Sequence, residues 1–510
     1  MSVILDGKHL SIEDVVAVAR RGEKVEVSNE AWERIKKCRA MLDEKVEKEE
    51  VMYGVTTGIG ELSEVVLKPE QVKKFQRYLI YSHAAGYGEP MAIDDARGAI
   101  LSRINVLCNG LSGIRPEVVQ LMVELLNRGV TPIMFQHGSV GACGDLSPMS
   151  QFALVLMGEG EVFYQGERLP AAEGLKRAGL EPVEFLARDG LACINGSNCI
   201  TSMGTLQLYD IDRLIKNSEI AAAMTLEVLN AQMKSYDERL HKARGYPGAV
   251  ECASNIRRIT EGSEMLYTDV LGKKKVQDSY SLRSTPQVVG AAKDALKWAK
   301  EQFLIELNGV GDNPLFFPDD NVVIPGANFQ GTPLAFPLEL MGTAITTIGV
   351  LSERRTNRLM NRHLSAGLPP FLTKGAGMMS GLMLIQYTAG MLIAECRVLS
   401  HPAATLSVPA AADQEDFVSM GMTTAIKTKK IIEHISAVIG IEMMAAAQAI
   451  DFRKPHKPGK GTQAAYEAIR EKIPFLDEDR PTCYDNNTMA EMVRAGKILD
   501  AVESVVGKLD

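Results

Sequence analysis

Tryptophan is nearly absent from this chain: there are two in 510 residues, and all aromatic residues together make up 6%. Sandwich and barrel cores built on aromatic pairs are disfavoured by that scarcity. No Cys-x-x-Cys pair occurs among the eight cysteines (Cys38, Cys108, Cys143, Cys193, Cys199, Cys252, Cys396 and Cys483), and no histidine stands at zinc-finger spacing. Structural zinc and a disulfide framework are therefore not expected. The start, MSVILDGKHL, lacks the basic n-region and small-residue cleavage site of a signal peptide, so reduced thiols and a cytoplasmic location are expected. Positive charge is not in excess either. The net charge is −8, which argues against nucleic acid or an anionic membrane as the main partner. There is no internal repeat and no low-complexity tract.

What is plentiful is glycine (44) and methionine (24), with 46% apolar and 24% charged residues. That composition suits an aliphatic, Met-rich core of long packed helices. SIEDVVAVARRG and SNEAWERIKKCRAMLDEKV each open on a capping serine, Ser11 and Ser28. Helical patterns resume over residues 70–128. A hairpin is expected over EVFYQGERLP (161–170), turning at Gln165-Gly166. Apolar residues at helical spacing predict long helices over 198–243, 286–308, 332–364, 375–400 and 422–450, with a helical tail from 462 to 508. The uncharged run 375–394 is long enough to cross a bilayer. It also carries Gln386, Tyr387, Ser380, Thr388 and four glycines, so a buried helix is expected there. The resulting picture is a mainly α chain. Residues 1–197 form a loop-rich N-terminal part, and residues 198–510 form a long-helix bundle with a C-terminal cap.

Helix-rich chains place chemistry in their interruptions. Six stretches interrupt the helical pattern: YGVTTGIG (53–60), SHAAGYGEP (82–90), GSVGACGDLSP (138–148), NGSN (195–198), QDSYSLR (277–283) and DQEDFVSMG (413–421). Each has a bland reading when taken singly. Tyr53 fits a buried aromatic, His83 a satisfied core histidine, and Asp413, Glu415 and Asp416 a solvated helix start.

Taken together, in this order and spacing, the motifs resemble those of the aromatic amino-acid ammonia-lyases, closest to the histidine-specific members. The resemblance runs over essentially the whole chain and is densest from about residue 50 to 420. It implies a mainly α, ammonia-lyase/fumarase-like fold. It implies a homotetramer whose active sites combine loops from more than one subunit. It also implies an amino-acid substrate, with no metal and no nucleotide.

The implied reaction removes ammonia from L-histidine to give trans-urocanate. The β-proton is barely acidic and the amine leaves poorly, so the enzyme needs an electrophile and a positioned base. The family makes its electrophile, 4-methylidene-imidazol-5-one, from an Ala-Ser-Gly triplet. Here the triplet is Ala142-Cys143-Gly144. Gly144 supplies the attacking amide nitrogen, Ala142 the carbonyl, and Cys143 the methylidene carbon. A thiol leaves as hydrogen sulfide where a hydroxyl leaves as water.

By the same resemblance Tyr53 is the base for the β-proton; its ordinary pKa of about 10 calls for positive surroundings. Arg283 clamps the substrate carboxylate. Tyr280, Gln277 and Asn195 hydrogen-bond the ring, amine or carboxylate, and Phe329 packs against the prosthetic ring. Ser82, His83 and Glu415 match the histidine enzymes, whose polar groups face an imidazole with two nitrogens. Leaving such groups unpaired beside a phenyl ring costs about 1–3 kcal/mol.

Three positions depart from the histidine enzymes. Asp413 stands in place of Asn, Phe417 in place of His, and Gln330 follows Asn328-Phe329 where His is common. The extra acid at Asp413 suits a cation. A lyase of a modified histidine such as ergothioneine, which eliminates trimethylamine without an electrophile, is one alternative. A related aromatic amino-acid lyase or aminomutase and a non-catalytic relative are others. A Cys143 thiol hydrolase has only His137 nearby as a base.

Overall fold

The computed structural model describes residues 2–272 and 274–510. Helices dominate, and the strands form only small two- and three-stranded sheets. Sequence signals hold closely at the start. Ser11 caps Ile12–Arg21 with a reciprocal capping box to Asp14, and Ser28 caps Asn29–Glu47. The hairpin pairs Glu161–Tyr164 with Glu167–Pro170, and its turn places Gln165 and Gly166 at positive φ.

Contacts divide the chain into two compact units, each discontinuous in sequence. The first runs from the N-terminus to Tyr209 and adds Lys300–Glu339 and Pro402–Ile426. Its centre is the helix Ile93–Leu107, buried from Asp95 through Leu107, charged residues included. Arg103 on this helix is fully buried and donates to the carbonyls of Ala192 (2.8 Å), Asn195 and Gly311 (3.0 Å) and to Asp312 Oδ2 (2.9 Å). Arg188 donates to Asp312 Oδ1 (2.7 Å) and to the Ser112 carbonyl (2.9 Å). One carboxylate thus neutralises two buried guanidiniums, and Arg103 ties the backbone of the NGSN segment to the core.

The second unit comprises Asp210–Ala299, Leu340–His401 and Lys427–Asp510. Its core holds a fully satisfied carboxylate. Glu442 accepts from Arg355 Nε (2.5 Å) and Nη2 (2.8 Å), Ser352 Oγ (2.6 Å) and Thr225 Oγ1 (2.8 Å), and all four residues are buried.

Two expectations from the sequence change. The helix that begins at Asn198 ends at Val228 rather than near residue 243; Asn230 follows at φ +55, and a 3₁₀ turn, Met233–Tyr236, and a short helix, Glu238–Arg244, continue the chain. Asparagine tolerates the left-handed region, so the break falls where a side chain permits it. The apolar run 375–394 is not one buried helix. Residues 375–382 form turns around Gly377 (φ +109) and Gly381 (φ +55), and the helix spans Met383–Leu399. Leu384, Tyr387, Met391 and Val398 on it are more than half exposed, at helical spacing. Among the described residues, Thr332–Met360 and Gly421–Arg453 are long and apolar enough to cross a membrane, and 83% of the apolar window of the latter is buried in the protein.

Candidate active site

The GSVGACGDLSP loop lies in the first unit and is held from three sides. The Ser139 hydroxyl donates to the Asp145 carboxylate (2.9 Å) and to the Gly144 carbonyl (3.3 Å). The Val140 carbonyl accepts from the Met420 amide (3.0 Å). Gly144 and Gly196 form a parallel bridge: the Gly196 amide donates to the Cys143 carbonyl (3.2 Å) and the Asp145 amide to the Gly196 carbonyl (2.8 Å). This bridge explains both glycines. Gly144 has φ +77, and a Cβ there would lie 2.1 Å from the Gly196 carbonyl carbon. Gly196 has φ +137, and a Cβ there would lie 2.6 Å from the Gly311 oxygen. No other residue fits either place.

Asp145, directly after the triplet, is buried and has no ion pair among the described residues. Its carboxylate accepts from Ser139 and from the Ile200 amide (3.0 Å), at the start of the helix Asn198–Val228. Burial pushes its pKa up to about 6, against the pull of those donors.

Cys143 is buried, and its Sγ lies 3.2 Å from Glu415 Oε1. Burial first, then the Glu415 charge and hydrogen bond, drive the thiol well above its ordinary range, so the sulfur stays protonated. Glu415 sits on a tight arch. Its amide and carbonyl exchange hydrogen bonds with Ala410 (3.1 and 3.0 Å), while Ala411, Ala412 and Asp413 between them take φ of +47, +53 and +68. Three consecutive non-glycine residues in the left-handed region are strained, a feature that gathers at functional sites.

Tyr53 completes the cluster. Its hydroxyl accepts from the Gly60 amide (3.2 Å), and a Cβ on Gly60 would stand 3.8 Å from Glu415 Oε1. The YGVTTGIG loop and the arch therefore meet. The sequence called for positive surroundings at Tyr53, but the balance here is upward. Burial raises its pKa most, and Cys143 and Glu415 add to that, while the Gly60 hydrogen bond and Arg188 pull it down.

Asn195 is buried, and among the described residues its Oδ1 has no hydrogen-bond partner. Ser197 donates to the Phe329 carbonyl (2.7 Å), which fastens the ANFQG loop beside the same segment. At the end of the helix Pro69–His83, His83 Nδ1 lies 2.8 Å from the Leu79 carbonyl and 2.9 Å from Ser82 Oγ. A carbonyl only accepts, so Nδ1 carries a proton, and in the neutral ring Nε2 keeps the lone pair.

The remaining expected residues belong to the second unit, and the cluster above is built without them. Gln277 is exposed, Tyr280 is 71% exposed, and Arg283 stacks on the Tyr280 ring at 4.5 Å while donating to the Asp278 carbonyl (2.9 Å). Sequence reasoning missed Arg103, Arg188, Asp312, Ser139 and Asp145, which shape the loop. Only the Asp that follows the triplet carried a local signal.

The residues around the triplet fit the backbone-derived electrophile. Gly144 leaves its nitrogen free of side-chain obstruction, the Gly196 amide is already on the Cys143 carbonyl, and the unpaired Asn195 Oδ1 is available for a further donor.

Residues 10–471 match the family model described as aromatic amino acid lyase. The histidine ammonia-lyase of Alkaliphilus oremlandii is 44% identical over 504 residues, covering 99% of both chains. The crystal structure of histidine ammonia-lyase from Trypanosoma cruzi has a TM-score of 0.91 at 34% identity, covering 99% of this chain and 95% of that one. Tyrosine aminomutase from Streptomyces globisporus has a TM-score of 0.95 at 35% identity over the full length of both. The fold and these full-length likenesses place the chain in the aromatic amino acid lyase family.

Proposed function

We propose that this lyase eliminates ammonia from L-histidine to give trans-urocanate, with an electrophile made from Ala142-Cys143-Gly144. The observation that carries the reading is the meeting of Tyr53, Cys143 and Glu415 over a loop pinned by the Gly144–Gly196 bridge. The 4-methylidene-imidazol-5-one supplies an electron sink that activates the substrate for loss of its amine. The Gly196 N–H, aimed at the Cys143 carbonyl oxygen, stabilises negative charge that gathers there. The Tyr53 oxygen removes the β-proton. Its pKa lies above the ordinary tyrosine range, so it needs the positive charges of the assembled site, Arg283 among them, to ionise.

His83 presents the Nε2 lone pair and Glu415 a carboxylate, an acceptor pair matched to the N–H groups of an imidazole or amine. Arg283, with Tyr280 and Gln277, takes the substrate carboxylate, supplied by a neighbouring subunit of a homotetramer. The exposed apolar stripe on Met383–Leu399 supports such an assembly, because large patches of this kind are covered in stable proteins. All eight cysteines are free thiols, which suits a cytoplasmic enzyme.

Mixing the protein with L-histidine and following the ultraviolet absorbance of urocanate tests the reading. Urocanate formation is the expected result. Trimethylamine release from ergothioneine with no reaction on histidine, or a β-amino acid as the main product, would replace it.

A further inference from the structure

We infer that Arg103 is a positioning residue for the reaction: through the Asn195–Gly196 peptide it holds and polarises the N–H that faces the Cys143 carbonyl oxygen. The inference rests on the electrophile proposed above, in which that oxygen is where negative charge gathers.

The contacts run in one line. Arg103 Nη1 donates to the Asn195 carbonyl. That carbonyl and the Gly196 N–H are the two ends of one peptide group. The Gly196 N–H donates in turn to the Cys143 carbonyl at 3.2 Å. Resonance makes the peptide a single planar unit, so a charge that draws electrons onto its oxygen also makes its N–H a stronger donor. The approach is close because residue 196 has no side chain. A Cβ there would lie 3.0 Å from the same Nη1.

A full charge stands behind this line. Arg103 and Arg188 are both fully buried, and both pair with Asp312, so two positive charges share one negative charge. Burial lowers the Arg103 pKa and Asp312 raises it, and a guanidinium keeps its proton in a folded protein. The fork is also fixed. Nε donates to the Ala192 carbonyl (2.8 Å), Nη1 to the Gly311 carbonyl (3.0 Å) as well as to Asn195, and Nη2 to Asp312 Oδ2 (2.9 Å). A preset charge in a dry core acts strongly and has no solvent to reorganise when the carbonyl oxygen becomes negative. Arg188 lacks this route. Its donors go to the carbonyls of Ser112, Asn313 and Pro314 and to Asp312.

The test reads the carbonyl itself. Cysteine labelled with carbon-13 at its carbonyl carbon is incorporated into full-length wild type, Arg103→Gln, Arg103→Lys and Asp312→Asn. Intact mass verifies that the ring has formed, and circular dichroism that each chain has folded. Ring closure takes the Cys143 carbonyl out of the amide class, so its infrared band stands apart from those of the other cysteines. A stronger hydrogen bond lowers the frequency of that band. Arg103→Gln keeps a donor but removes the charge, and should raise it. Arg103→Lys keeps the charge and should leave it near the wild-type position. Asp312→Asn changes charge with little change of shape, leaves both guanidiniums unmatched, and should lower it. Turnover of L-histidine gives a second reading. In Arg103→Gln kcat should fall about 10-fold with KM little changed, less than the roughly 10²–10³-fold cost of deleting such a donor outright. A purely structural role for Arg103 would move the band the same way in all three variants, and that result overturns the inference. If Arg103→Gln does not fold or mature, Asp312→Asn decides alone, and a band at or above the wild-type frequency overturns the inference. A wild-type chain with the expected mass deficit but a band that no variant moves overturns this inference and leaves the electrophile standing. A wild-type chain at full mass overturns both together.

Discussion

Two acidic sites, one in each unit, are handled in opposite ways. Glu442 in the second unit stands on a helix, and each oxygen has two donors from Arg355, Ser352 and Thr225. Glu415 in the first unit stands on a strained arch, touches a thiol, and has Asn195 with an unpaired oxygen in the same unit. A carboxylate with every lone pair answered has nothing left to offer a substrate and serves to fix helices. One that is held in place by backbone and, among the described residues, is met by a weak thiol donor is ready for chemistry.

The comparison can be tested from both sides. On the chemical side, Tyr53→Phe removes one oxygen from the cluster. Urocanate production should fall by about 10²–10⁴-fold, with the unfolding midpoint unchanged. A comparable loss of stability would mean that Tyr53 is packing rather than chemistry. On the structural side, Arg355→Ala leaves Glu442 charged and buried without its partner. Urea unfolding should show a loss of about 3–5 kcal/mol, and the paired change Arg355→Met with Glu442→Leu should restore most of it. Gly144→Ala probes the loop itself. Backbone strain at φ +77 and the collision with Gly196 should cost about 1–3 kcal/mol and leave the chain at full mass.

The smallest expected effect is a pH slope. Glu227, also in the second unit, accepts from the Gly459 amide (3.0 Å) and Thr462 Oγ1 (2.9 Å), and burial pushes its pKa from 4.5 up to about 8. The folded chain therefore holds a proton that the unfolded chain has already lost. The stability this confers is complete below pH 4.5 and drains away as pH rises through about 8. Burial raises Asp145 to about 6 and Glu306 to about 7, so both share the window. In Glu227→Gln the fall in melting temperature between pH 5 and 8 should be shallower than in wild type, but not abolished.

Much of this was legible in the sequence. Ser11 and Ser28 marked helix starts because capping is local, and the hairpin turn at Gln165-Gly166 is local too. The triplet, Tyr53 and Glu415 stood out because they break helical patterns. Other features depend on partners far away in sequence. Gly196 supports the Cys143 carbonyl across more than fifty residues, and Asp312 joins Arg103 to Arg188. Local pattern carries no record of such pairs. The run 375–394 misled because an uncharged sequence reads as buried, whereas Leu384, Tyr387 and Met391 face outward on Met383–Leu399. The rise in the Tyr53 pKa was equally invisible, since it comes from burial and from two neighbours that folding brings together.

The central claim is that the loop around Cys143 exists to spend its sulfur. The intact mass of the purified full-length chain tests this most directly. A mass lower than the sequence mass by one water and one hydrogen sulfide is the predicted result. A chain at its full sequence mass, with Cys143 still titratable as a thiol after unfolding, would contradict it.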